Sequence, residues 1–182
     1  MKHVVYKYRV DYEKEEKWLN EMAGNGMNLV DYAFCRYVFE EGKPGQYIYR
    51  IELLSKHPRS VEGMPYIRFM EEMGIECVAT YMKWAYFRKK ADGEPFDLFS
   101  DHDSKIAHFT RVSSFSKFAF GFNLAVGLLN VLLPVLLHDN PAAAINPVVG
   151  SINLIVAAVF SPLILRYGGR LKKLKAERQL RE

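Results

Sequence analysis

The residues able to do chemistry are few and scattered. Asp101, His102 and Asp103, in "SDHDSK" at 100 to 105, put three metal-ligating side chains in a row. Neighbouring side chains diverge on any regular backbone, however, and dedicated sites draw their ligands from several segments. Ser100 and Asp103 instead have the spacing of a capping pair that starts a helix through Ile106 and Phe109. Cys35 and Cys77, 42 residues apart, lack CxxC or Cys/His metal spacing and read as two small apolar side chains. An enzyme would be marked by a nucleophile with its base, paired carboxylates in a cleft, or a glycine-rich phosphate loop. GxSxG, Walker A and HExxH are all missing and the five histidines are dispersed. No residue is therefore assigned to catalysis, to a cofactor or to a metal.

The remaining candidates are binding surfaces, and these depend on the elements that carry them. Residues 2 to 10 alternate, with Val4, Tyr6, Tyr8 and Val10 on one side and His3, Lys7 and Arg9 on the other, as in a half-buried strand. Asp11 is a plausible N-cap for a helix with Glu13, Glu15 and Glu16 near its positive end and Trp18, Leu19 and Met22 on its buried stripe, ending at Gly24 or Gly26. A long strand follows from Asn28 to Phe39, "EEGKPG" turns the chain, and Gln46 to Leu54 makes a third strand. A second helix opens at Pro65, with Tyr66, Phe69, Met70 and Met73 as its stripe and Gly74 as its end, and Glu76 to Phe87 closes the series as a strand.

That order, βαββαβ, is echoed within the sequence. A shift of 48 residues lays Trp18 over Tyr66, Met22 over Met70, Gly26 over Gly74, Val30 over Val78 and Phe39 over Phe87. Two right-handed βαβ halves give an α+β, ferredoxin-like sandwich with strand order 4-1-3-2 over residues 1 to 99. Cys35 and Cys77 then fall on opposite edge strands about 14 Å apart, too far for a disulfide, which needs Cα atoms within about 7 Å.

With Tyr6, Tyr8, Tyr47, Tyr49 and Ile51 turned inward, the open face of the two central strands shows Lys7, Arg9, Arg50 and Glu52. It would take an anionic ligand or an acidic protein segment through arginine forks, or else be a cross-strand charge ladder. Trp84 and Tyr86 on the last strand, with Phe87, serve packing or a protein interface. RNA binding is disfavoured because "GQYIYRIELL" lacks the aromatic RNP1 string. Residues 1 to 99 carry 15 basic and 16 acidic side chains, a near-neutral balance that weighs against a nucleic-acid-binding domain, whose usual footprint is a basic face.

The second half has a different character. Phe118 to Leu137 is twenty residues without a charge and Pro147 to Leu165 nineteen more, each long enough to cross a bilayer core of about 30 Å. Their short connection, with Asn140-Pro141 and Asn146-Pro147, predicts a transmembrane helical hairpin over 118 to 165. Residues 100 to 117 form a juxtamembrane helix or linker, and 166 to 182 a basic tail with 7 basic against 2 acidic residues. Lys105, Arg111 and Lys117 flank the first run and Arg166, Arg170, Lys172, Lys173 and Lys175 the second, so the positive-inside rule puts both termini in the cytoplasm. Asn123 and Asn130 share one face of the first span and Asn153 in the second could meet one of them as an intramembrane helix contact. Neither span contains an Asp, Glu, Lys, Arg or His of the kind transport chemistry uses.

"EKWLNEMAGNGMNLVDY", "KPGQYIYRIELL", "FMEEMGIECVATYMKWAYFRK" and "PFDLFSDHDSKIAHFTRV" together resemble the DUF2812 family over about residues 3 to 115. Where members commonly carry Trp after the glycine, this chain has Met27. The resemblance implies a bacterial membrane protein of Gram-positive type, often encoded near PadR-like regulators, and brings no catalytic residues. The expected role is a membrane-tethered, cytoplasm-facing interaction or regulatory module. Its expected associates are the lipid bilayer and a protein partner or further copies of itself, and no cofactor. An accessory subunit of a transporter or resistance system is the alternative, and a small enzyme the third reading.

Overall fold

The computed structural model describes residues 1–99, 101–136 and 146–180. The chain divides into two compact units, Met1–Asp101 and His102–Glu182. Ser100 of the expected capping pair, Leu137 at the end of the expected first span and most of the expected hairpin connection, residues 138–145, lie outside the described residues.

The front unit runs β1 (Lys2–Tyr6), α1 (Tyr12–Gly24), β2 (Met27–Ala33), β3 (Arg36–Glu41), β4 (Tyr47–Leu53), α2 (Met64–Glu72), β5 (Glu76–Tyr81) and β6 (Trp84–Lys90). It is α+β, but six strands form where four were expected. The two long strands read from the sequence are each a hairpin. Phe34-Cys35 turns β2 into β3 and Met82-Lys83 turns β5 into β6, with Cys35 at φ 59 and Met82 at φ 53 in the left-handed region. Tight hairpin turns are announced in sequence by Asn-Gly or Asp-Gly, and neither turn has a residue of that kind.

The strands therefore build two three-stranded antiparallel sheets, ordered β1-β3-β2 and β4-β6-β5, instead of one four-stranded sheet ordered 4-1-3-2. The 48-residue echo is a repeat of a whole βαββ unit. The two turns are 48 residues apart, and so are the two register shifts, at Leu29/Asp31 in β2 and at Cys77/Ala79 in β5. Each shift lets one extra residue, Val30 or Val78, bulge out of its ladder. Cys35 thus sits in a turn and Cys77 on β5, and both are unpaired thiols.

Helix α1 begins as its residues dictate. The Asp11 carboxylate accepts from the Glu13 and Lys14 amides at 3.2 and 3.5 Å, and Glu13 and Glu15 occupy the positive first turn. Gly26, at φ 82, turns the chain after the helix ends. Trp18 packs edge-on to Tyr37 and Phe39, with centroids 4.9 and 5.6 Å away, which fixes α1 on the first sheet. The same helix also seals the second sheet. Asn20 accepts from the Tyr49 amide and donates to its carbonyl at 2.8 and 3.0 Å, and Glu16 accepts from the Ile51 amide at 2.9 Å. Those backbone groups belong to the outer edge of β4, where an unpaired strand would otherwise be left open.

Helix α2 has Pro65 in its first turn and buries Met70 against Leu54, Ala85, Phe87 and Phe96. Its expected stripe is only partly inward, since Phe69 and Met73 are exposed.

The second unit is two long helices, α3 (His102–Leu136) and α4 (Asn146–Gln179). At 1.5 Å per residue each is about 50 Å long, well beyond the 30 Å of a bilayer core. Each runs unbroken through segments the sequence divides: α3 through the linker and first span, α4 through the second span and most of the basic tail. The helices pack along their length, with Phe115 against Phe160 at 6.4 Å and an Arg178–Asp103 ion pair at 2.9 Å. Both are long and apolar enough to cross a membrane, and only 11% and 17% of their most apolar windows are buried within the protein.

Candidate functional site

The most concentrated polar chemistry in the front unit is a buried carboxylate. Glu15 projects from the first turn of α1 and is 6% exposed. Its Oε1 accepts from the Tyr37 hydroxyl on β3 at 2.7 Å and from the Tyr86 hydroxyl on β6 at 2.8 Å. One oxygen thus ties α1 to both sheets. Burial raises the Glu15 carboxyl above its ordinary pKa, against the two phenol donors and Arg9, which pull it down. Burial and the neighbouring Glu15 charge push Tyr37 and Tyr86 up in turn, so both phenols stay protonated and act as donors.

From this centre an aromatic path leads outward. Tyr32 lies between Tyr37 and Tyr86, with centroids 4.7 and 4.6 Å away, and meets Tyr81 edge-on at 5.8 Å. Tyr81 stacks on Phe34 at 6.0 Å, and Phe34 meets Tyr8 at 6.4 Å. Phe34, at the first hairpin turn, is 63% exposed, and Met82, its counterpart 48 residues on, is exposed equally. Tyr8, Phe34 and Tyr81 thus form an aromatic surface that reaches solvent at Tyr8 and Phe34, a composition enriched where proteins meet.

The four residues expected on one open face do not share one. Lys7 and Arg9 lie over the Trp18 ring at 4.8 and 4.9 Å. Arg50 is held elsewhere, by Glu16 at 3.4 Å and by the Phe96 carbonyl at 2.8 Å. Glu52 is buried and accepts from the Tyr66 hydroxyl at 2.7 Å. The inward and outward sides were assigned for a central strand pair, whereas β1 and β4 are edge strands of different sheets. Tyr6 and Tyr8 accordingly face solvent while Tyr49 and Ile51 are buried. Trp84 packs on Tyr12 at 5.5 Å, and Tyr86 belongs to the Glu15 centre.

Glu15 entered the sequence reading only as a charge favouring the helix start. A carboxylate on the buried side of α1, one turn from Trp18 and Leu19, was the available signal. Among the described residues no three His, Cys, Asp or Glu side chains converge as a metal would need. Burial pushes the Cys77 thiol up to about 11, which keeps it protonated and a poor nucleophile.

A family model for DUF2812, described as a protein of unknown function, matches residues 11–120, from the Asp11 cap into α3. The chain belongs to this family. No curated protein and no solved structure matches it. The DUF2812 match takes in the Glu15 centre and both hairpin turns, and leaves β1 and all of α4 outside.

In this DUF2812 protein the three asparagines expected to join the two spans bond instead within their own helix. Asn123, Asn130 and Asn153 donate to the carbonyls of Ala119, Val126 and Val149 at 2.8, 2.8 and 2.9 Å. The close helix crossing lies at two glycines the sequence reading passed over. A Cβ on Gly150 would stand 2.9 Å from the Gly127 carbonyl and 2.8 Å from Val131, and one on Gly127 would stand 2.8 Å from Leu154. Small residues that let backbones approach are the usual means of joining helices in lipid.

Proposed function

We propose that the chain is a membrane-anchored protein-binding module with a regulatory role. In this reading α3 and α4 cross the bilayer as a hairpin through residues 118–137 and 147–165, the front unit and both termini face the cytoplasm, and the aromatic surface around Phe34 receives a protein partner. The observation that carries the reading is the apolar surface of the two helices. Phe118, Phe122, Leu129, Leu132, Ile152, Ile155 and Leu165 all point away from the partner helix into the surroundings. At about 25 cal/mol per Å², leaving that surface in water is costly, and lipid removes the cost.

The topology is supported by charge. Basic side chains stand at Lys105, Arg111, Lys117, Arg166, Arg170, Lys172, Lys173 and Lys175, and none lies between the two runs. The binding role is supported by the Tyr8–Phe34–Tyr81 surface and by a Glu15 centre whose groups are all engaged with one another.

The test uses the full chain expressed in bacterial membranes. Carbonate extraction should leave it in the membrane pellet, and a cysteine-reactive probe that cannot cross the membrane should label single cysteines placed at residues 138–146 from outside and at the tail only after lysis. A photo-crosslinking residue at position 34 should capture a discrete partner, and that partner should co-purify with the unmodified chain and not with Phe34→Asp. Release by carbonate would end the membrane reading, and a captured permease would move the role to that of an accessory subunit.

A further inference from the structure

Two three-stranded sheets have four edges, and in the front unit three of them are covered. β2 and β5 lie alongside one another where the sheets meet, with Tyr32 against Tyr81 and the Leu29 carbonyl accepting from Tyr49 and Arg88. The β4 edge is sealed by Asn20 and Glu16 of α1. By the 48-residue repeat, the residues that would seal β1 are Met64 and Arg68 of α2, and both are exposed. Among the described residues of this unit β1 is hydrogen-bonded on one side only, to β3.

The ladder fixes which groups that leaves outward. The Lys7 amide donates to the Cys35 carbonyl, and the Glu41 amide to the Met1 carbonyl, at 2.9 and 3.3 Å. In an antiparallel pair hydrogen-bonded positions alternate, so Met1, His3, Val5 and Lys7 face β3, and the N–H and C=O of Lys2, Val4 and Tyr6 face away from it. Beside this row Val4 is 47% and Tyr6 76% exposed, and Tyr8 continues the apolar line to Phe34.

We infer that β1 is a strand-addition site for an extended segment of a partner protein in which apolar and acidic residues alternate. Main-chain bonds to Lys2, Val4 and Tyr6 would give affinity, and the apolar residues would meet Val4 and Tyr6. Charge selects the acidic partner. The first ten residues carry Lys2, Lys7 and Arg9 and no carboxylate, and on the neighbouring β3 Glu40 stands opposite Lys2 while Glu41 is engaged by His3 at 2.6 Å, so the strand keeps a positive surplus. A second copy of β1 fits poorly, since it would bring the same three cations together with no carboxylate between them. The inference rests on the reading of the front unit as a partner-binding module and names the partner's chemistry.

The probe is a nine-residue synthetic peptide alternating Glu with Val and Tyr, added to the full chain in detergent micelles. It should bind at least tenfold more tightly than the same peptide with Lys in place of Glu, and should slow amide exchange at Lys2, Val4 and Tyr6 at least tenfold. N-methylation of alternate peptide residues should abolish binding in one register and spare it in the other. Val4→Pro removes one outward donor and no ladder bond, so it should weaken binding tenfold with tryptophan fluorescence unchanged. Should that variant not fold, Lys2→Glu with Lys7→Glu should reverse the preference to the Lys peptide. Failure of the acidic peptide to bind, equal binding of the two peptides, or exchange unchanged at those three amides overturns the inference. If the crosslinker at position 34 still captures a partner, the module reading survives that failure; if it captures none, both fall.

Discussion

Replacing Glu15 by Ala removes the acceptor shared by two buried phenols, since Tyr37 and Tyr86 are 1% and 3% exposed. An unsatisfied buried donor costs about 1–3 kcal/mol, so the pair should cost about 2–6 kcal/mol. Against a total stability of about 5–15 kcal/mol this is a large fraction. Tyr32 stands beside both phenol rings, with centroids 4.7 and 4.6 Å away, so the comparison is best made with Tyr32→Phe in every variant. The informative partner variant is Glu15→Leu with Tyr37→Phe and Tyr86→Phe, which removes donors and acceptor together. Removing both sides of a buried bond can be nearly neutral, so the combined variant should recover to within about 1.5 kcal/mol of its parent. Urea unfolding followed by tryptophan fluorescence is the assay, because Trp18 and Trp84 are the chain's two tryptophans and both lie in the front unit. With a slope of about 2 kcal/mol per molar, Glu15→Ala should lower the midpoint by about 1–3 M. The pH dependence has a fixed sign. The folded carboxyl titrates above its unfolded value, so its contribution is fully present below the ordinary carboxylate pKa and is lost as pH rises through the folded one. Glu15→Gln should flatten that decline. A combined variant no more stable than Glu15→Ala would refute the account of Glu15 as the tie between the sheets.

Two further outcomes follow from packing and from burial. Gly150→Ala should loosen the hairpin more than Gly127→Ala, because its Cβ meets the Gly127 carbonyl at 2.9 Å and branched Val131, while that of Gly127 meets mainly the flexible Leu154. Helix-to-helix disulfide trapping between cysteines placed on α3 and α4 in micelles would measure this, and equal losses would contradict the crossing geometry. In a Cys35→Ser chain, alkylation of Cys77 should be slow at neutral pH and rise about tenfold per pH unit toward about 11. A rate already saturated at pH 8 would disprove the burial of this thiol.

Much of this protein is written in local pattern. The Asp11 cap with its acidic first turn, Pro65 at the start of α2 and the glycines after both helices determine where the helices lie, because caps and breakers act within one turn. Two uncharged runs of twenty and nineteen residues determine that two helices are long and apolar enough to cross a membrane. The 48-residue echo is legible too, but its unit is not, for the turns at Phe34-Cys35 and Met82-Lys83 use residues with no turn preference. Those turns hold because packing on both sides outweighs local strain, which no window of sequence reports. Tertiary structure alone decided the two sheets, the sealing of β4 by Asn20 and Glu16, the burial of Glu52, and the meeting of Glu15, Tyr37 and Tyr86 across 22 and 71 residues of chain. The physical reason is range: capping and periodicity act between near neighbours, whereas edge pairing and burial depend on which distant segment arrives alongside.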